Sequence, residues 1–275
     1  MTMPAPDLRA APSAPVSADA GAGAVRRWLD RPRPTWWQEA LLLLGMLLAY
    51  DVIRLAATDD LGVALRHAGE LLDVERALGL HVEATLNSAV AGHRWLEVAA
   101  SYWYAALHYT VTPAVLVLLW WRRPGEYRRL RAALVVPTAV ALVGYLAYPT
   151  APPRLVAGYT DVLLATSDVG WWAGHGGGVR GASQTVNQLA AMPSMHVGWA
   201  LWCGLVLAHL APRPWLRALA LAYPATTALV VVVTANHWVL DAVAGAALIL
   251  VAWAALVRRT APLAAPRPRP AGPAA

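Results

Sequence analysis

Residues 237–257 read HWVLDAVAGAALILVAWAALV, an apolar run with a single acid, Asp241, near its start. About 20 such residues cross the hydrocarbon core of a bilayer as a helix. In that solvent only helices and closed barrels satisfy their backbone groups, and the run lacks the alternation of a barrel strand. The same reading repeats upstream. Apolar stretches cover 38–57, 96–121, 130–149, 194–211 and 215–234, making six expected spans. Composition agrees. Of the 275 residues 58% are hydrophobic and only 14% charged, too few charges for a soluble surface and too many apolar groups for a disordered chain. The expected fold is an all-α integral membrane protein, a six-transmembrane-helix bundle. Cys203 is the lone cysteine, so an intrachain disulfide and a Cys-rich zinc site are excluded.

The spaces between the runs set the orientation. The chain has no Lys, so every basic residue is Arg. Arg26, Arg27, Arg31 and Arg33 precede the first run; Arg122, Arg123, Arg128, Arg129 and Arg131 separate the second and third. Arg213 and Arg217 separate the fourth and fifth, and Arg258 and Arg259 follow the sixth. All four clusters fall on one side of a six-helix zigzag, which is then the cytoplasmic side of the plasma (cytoplasmic) membrane. The net charge of +6 is thereby a matter of topology, and a nucleic-acid partner is not expected. Residues 1–35 and 260–275, rich in Ala, Pro and Arg, are expected to be disordered cytoplasmic tails around a membrane domain at 36–259. The opposite side carries the long segments 58–95 and 150–193. Within the first, 71–91 (LLDVERALGLHVEATLNSAVA) is apolar but interrupted by five ionisable residues, and predicts an extracytoplasmic amphipathic helix.

Ionisable groups at the mouths of spanning helices are costly and therefore candidates for function. Three clusters stand out. Met192-Pro193-Ser194-Met195-His196 opens the fourth run, where Pro suits the first helical turn and free backbone N–H groups favour a phosphate near Ser194 and His196. Asn236-His237-Trp238-Val239-Leu240-Asp241 opens the sixth. His237 and Asp241, four apart, share a helical face. The carboxylate can hold one imidazole nitrogen protonated and leave the other as nucleophile or base. Tyr148-Pro149-Thr150-Ala151-Pro152-Pro153-Arg154 ends the third run, and its prolines hold Arg154 where a guanidinium can clamp phosphate oxygens. All three clusters fall at the extracytoplasmic ends of their helices, although the orientation came from Arg counts alone. Arg180, in the Gly-rich run 174–181 (GHGGGVRG), is a second phosphate-binding candidate beside a plain loop reading. Tyr104, His108 and Asn236 are candidates for a substrate cavity. For His108 a structural hydrogen bond to its own helix stands equally open.

Pro193-Ser194-Met195-His196 together with His237-x-x-x-Asp241 resembles the motifs of the type-2 phosphatidic acid phosphatase superfamily. The resemblance covers roughly 38–257 and implies a six-helix membrane enzyme that breaks phosphoester bonds without metal or other cofactor. It implies His237 as the nucleophile that forms a phosphohistidine and His196 as the acid on the leaving alcohol. It further implies Asp241 as the orienting carboxylate and Ser194 as a phosphate ligand. Four positions depart from the commonest pattern. Met195 stands for Gly in the second motif, Val230 and Val231 stand for Ser-Arg before His237, and Ala147 stands for a Lys seven residues before Arg154. These departures resemble the branch of inositol phosphorylceramide synthase and sphingomyelin synthases. So do the Thr150–Arg154 run and the Glu75-Arg76-x-Leu78-Gly79 and Tyr104-x-x-x-His108 stretches.

The expected function is a metal-independent lipid phosphatase or phosphotransferase on a lipid phosphoester at the outer leaflet. The second reading, from another class, is a non-catalytic transporter or anionic-lipid-binding protein. An Asp-oriented His argues against it, since binding alone does not need one. An intramembrane serine protease using Ser194 and His237 ranks last, because the Gly-x-Ser-Gly context is missing.

Overall fold

The computed structural model describes residues 18–56, 60–172 and 188–257. Among these residues ten α-helices and one 3₁₀ turn follow in order. They are α1 (Ala18–Leu29), α2 (Trp36–Ala56), α3 (Leu61–Leu78), α4 (Glu83–Val90), α5 (Arg94–Arg122) and α6 (Tyr127–Ala147). The 3₁₀ turn (Pro153–Leu155) is followed by α7 (Val162–Ala165), α8 (Met195–Leu210), α9 (Pro214–Val233) and α10 (Val239–Leu256). No β-strand occurs among the described residues, and the chain is an all-α membrane protein.

Five helices, α2, α5, α6, α9 and α10, are long and apolar enough to cross a membrane. The fourth expected span, α8, has 16 residues. At about 1.5 Å per residue it is shorter than a full crossing needs. Its position explains why this is tolerated. α8 runs through the centre of the bundle, packed on α9, α10, α5 and α6, with Trp202, Cys203 and Val206 fully buried. Small residues let the backbones close in. A methyl on Gly204 would stand 2.8 Å from the carbonyl oxygen of Ala220 on α9, and one on Gly245 of α10 would stand 2.0 Å from that of Ser194. Close approach of this kind is how helices associate where apolar burial offers little drive. At the other extreme α2 packs chiefly on α6, and none of its apolar window is buried in protein. Leu41, Leu44, Leu47 and Leu48 therefore face lipid.

Two expectations change. The amphipathic helix expected over 71–91 is two helices, because Gly79 takes the left-handed conformation (φ 69°) and caps α3, with the Leu80 N–H donating to Glu75 O at 2.8 Å. Within the stretch 1–35 expected to be a tail, Ala18–Leu29 is helical, and Asp30 pairs with Arg129 at the arginine-rich end of the bundle. At that end Arg131 also pairs with Glu39, whose other oxygen accepts from Tyr127 at 2.8 Å. At the opposite end α3 lies over the start of α10. Ala64, Ala68 and Leu71 pack with Ala151, Leu189 and the fully buried Trp238.

Candidate active site

The three clusters meet, and backbone hydrogen bonds hold them together. α6 stops at Tyr148, since Pro149, Pro152 and Pro153 have no N–H to continue it. The freed segment pairs with the one leading into α8: Thr150 N–H donates to Leu189 O at 2.7 Å and Ala191 N–H to Thr150 O at 3.2 Å. Arg154 N–H donates to Ala235 O at 2.9 Å, tying the same segment to the turn before α10. Ser194 N–H donates to Asp241 O at 2.9 Å, tying α8 to α10.

His237 is 5% exposed and has two acceptors near one nitrogen. Nδ1 lies 2.9 Å from Ala191 O and 3.5 Å from Asp241 Oδ2. A carbonyl can only accept, so Nδ1 carries the proton and the lone pair sits on Nε2. That nitrogen is buried and has no hydrogen-bond partner. Asp241 is fully buried, and its Oδ2 also accepts from the Trp238 N–H at 2.9 Å. Asp241 is thus at once the cap of its own helix and the more distant of the two groups on His237.

His196, in the first turn of α8, lies with its ring centroid 5.6 Å from that of His237. Tyr104 stacks on its face at 4.3 Å and His108 meets it edge-on at 4.3 Å. His108 Nδ1 is 3.0 Å from Tyr104 O, so the structural bond and the cavity position hold together. The Arg154 side chain is 5% exposed. Its Nη1 donates to Asn236 Oδ1 at 2.7 Å, its Nε lies 3.8 Å from Asp161 Oδ2, and burial pulls its pKa below the ordinary guanidinium value. The Nε makes no hydrogen bond. A buried guanidinium with donors to spare is a receptor for an anion.

These groups surround one cavity of about 240 Å³. His196, His237, Arg154, Asn236, Tyr104 and His108 all line it. Ser194 does not. It is fully buried, and its Oγ accepts from the Val197 N–H at 3.5 Å as the N-cap of α8. In this geometry the Ser194 hydroxyl caps α8 and stands off the cavity wall. Arg180 lies outside the described residues. The sequence reading missed Tyr50, Tyr109, Tyr145 and Trp199, which complete the wall. Tyr145 O–H donates to Pro193 O at 2.9 Å, fixing the turn into α8. It also missed Asp161, whose only sequence signal is an acid just before a short apolar run, and the carboxyls of Glu75 and Glu83 behind α10. Among the described residues no group of three or more His, Cys, Asp or Glu is gathered as a metal site requires.

The arrangement offers an imidazole with a free nitrogen, a second imidazole beside it and a buried guanidinium, all on one cavity. No match is found among curated proteins or solved structures. A family model does match, over residues 69–255, which takes in α5 to α10 and every described group named above except Tyr50: the chain belongs to the PAP2 superfamily.

Proposed function

We propose that the protein is a lipid phosphatase or phosphotransferase that works through a phosphohistidine on His237. The observation that carries this reading is the fixed tautomer. Ala191 O holds the Nδ1 proton, and Nε2 is left unpartnered in the same cavity as His196 and Arg154. In the first step Nε2 attacks phosphorus, an N–P bond forms and the P–O bond to the leaving alcohol breaks. His196 gives its proton to the departing oxygen. Arg154 holds the non-bridging oxygens, on which charge builds. In the second step water or another hydroxyl attacks the phosphohistidine, and His196 takes up the proton that is released. Asp241 stabilises the positive charge on the His237 ring.

The walls support a lipid substrate. Tyr109 is 68% exposed on the bilayer side of α5 yet lines the cavity, and Tyr50 lines it from α2, the helix that faces lipid along its length. An apolar tail in the membrane thus borders the phosphate site. The resemblance of Thr150–Arg154 and of the departures at Met195, Val230 and Val231 to the inositol phosphorylceramide and sphingomyelin synthases favours transfer to an alcohol over hydrolysis. The arginine clusters favour a site at the outer leaflet and cytoplasmic termini.

The test uses the full chain in detergent with chelator. It is incubated with labelled lipid phosphomonoesters and phosphodiesters, with and without a lipid alcohol. Acid-labile, base-stable label on the protein, lost in His237→Ala, is the expected result. Full turnover in His237→Ala overturns the mechanism. Binding without any turnover favours the transporter or lipid-binding reading instead.

A further inference from the structure

The start of α10 is held by three carboxyl groups in succession. Trp238 N–H donates to Asp241 Oδ2 at 2.9 Å, Val239 N–H to Glu83 Oε1 at 3.0 Å and Leu240 N–H to Glu75 Oε1 at 2.7 Å. The first turn of a helix has free N–H groups and a positive dipole end, so acids there are favourable. These three are unusual in being fully buried, each at 0% exposure. Glu75 comes from α3 and Glu83 from α4, and each has a second oxygen, Oε2, with no fixed partner. Three buried carboxylates in one dry site cannot all carry charge, because desolvation and mutual repulsion both oppose it.

We propose that Glu75 and Glu83 are positioning residues that share one proton and, while they hold it, clamp the start of α10 and keep His237 in place. The shared proton satisfies both free oxygens, and the two remaining ones stay on the amides of Val239 and Leu240. His237 immediately precedes that turn, so movement of the turn carries the imidazole with it. Burial, then the hydrogen bond from Glu83, pushes the Glu75 acid up to about 8, and the charges of Glu83 and Asp241 add to the rise. The groups facing the pair are Asp241 from α10, with His237 beyond it at 3.5 Å, and the Tyr159 phenol from the loop before α7. On α3 itself Arg76 turns outward to Asp73 at 3.2 Å. The last turn of α9 supplies no basic residue.

An acid raised in the folded state stabilises it fully below its ordinary pKa, 4.5, and that contribution is lost as pH climbs to about 8. Glu75→Gln imitates the protonated acid: its amide oxygen accepts from Leu240 and its N–H₂ donates to Glu83 at every pH. The effect on turnover rests on the phosphohistidine reading; the effect on melting does not. The full chain in detergent is therefore studied both ways between pH 5 and 9. Wild type should melt progressively lower as pH rises, and Glu75→Gln should lose that slope. Glu75→Gln should keep near-wild-type turnover at pH 6.5 and move the alkaline fall upward. Glu75→Ala should lose about 10- to 100-fold, mainly in kcat, the scale of a misplaced catalytic group. A Glu75→Gln melting slope equal to that of wild type, or turnover as low as Glu75→Ala, overturns the proposal. If no phosphoester is turned over by wild type, the functional reading has failed and the melting slopes alone decide the clamp.

Discussion

At His237 the nearest acceptor on Nδ1 is a backbone carbonyl, 2.9 Å away, and the carboxylate stands at 3.5 Å. This separates two roles that a His–Asp pair usually combines. Ala191 O fixes the tautomer, and Asp241 supplies charge. Where the carboxylate alone fixes the tautomer, Asp→Asn costs about 10⁴-fold in kcat. Here Asp241→Asn should cost less, about 10²-fold, because Nδ1–H keeps its acceptor and the amide oxygen still caps Trp238. Asp241→Ala loses the cap as well, and should lower stability by about 1 kcal/mol beyond the Asn variant. Steady-state turnover and melting of the two variants check this; a 10⁴-fold loss in Asp241→Asn assigns the tautomer to Asp241 after all. At Arg154 the question is geometry against charge. Lys keeps the charge but not the planar fork, in which one nitrogen holds Asn236 Oδ1 and the others stay free for two oxygens of one anion. Arg154→Lys should retain insertion and melting while losing about 100-fold or more in turnover. Near-wild-type turnover moves the phosphate clamp to another cation. The residue types at these positions were legible in the sequence. The carbonyl of Ala191 was not, since a backbone acceptor from a neighbouring segment leaves no mark on residue identity.

Among the elements, the crossing of α8 and α10 decides whether the two histidines meet. Gly245 lets the Ser194 carbonyl approach so closely that an added methyl would stand 2.0 Å from it. The atom in the way is backbone, so relief requires the helices to part, and His196 to leave His237. Gly245→Ala should lower stability by about 1–3 kcal/mol and cut turnover by about 10²-fold. Gly69→Ala is the control. Gly69 lies mid-helix in α3 with open space around its Cβ position, so Ala there should be neutral or stabilising by about 0.5–1 kcal/mol. Equal behaviour of the two variants removes the crossing from the account. The apolar runs were legible as helices because the bilayer leaves no alternative of that length. The division of 71–91 was also legible, since Leu78-Gly79 is a helix-stop signal that the apolar pattern outweighed. The burial of Glu75 and Glu83 was not. An acid in an amphipathic stretch reads as a solvated face, and only the amides of Val239 and Leu240, more than 150 residues downstream, turn it inward.

On the scale of the whole molecule, the two ends of the bundle have opposite chemistry. One end gathers Arg129 with Asp30, Arg131 with Glu39, and Arg128 over the Trp28 ring at 4.9 Å. The other carries the cavity, the proline-stiffened segment 149–154 and the α3–α4 cover. Six apolar runs with arginines at alternate gaps define this polarity in the sequence, because crossing a membrane fixes which gaps share a side. The described helices keep it: the gap between α5 and α6 lies at the arginine end, and the described segments that lead out of α6 and into α8 lie at the cavity end. Arginine-rich gaps stay in the cytoplasm, so a reporter fused after Gly125, between α5 and α6, should be protected in intact cells. One inserted at Gly177, in the segment between α7 and α8, should be reachable by an impermeant reagent. Both follow from one orientation, and neither depends on catalysis. If Gly125 is reachable and Gly177 protected, the cavity faces the cytoplasm and the substrate must come from the inner leaflet. If both lie on one side, one of the helices between them fails to cross. Among the described residues the one helix between those two sites long enough to span is α6, with 21 residues and half of its apolar window buried in protein, so that outcome would break the bundle itself.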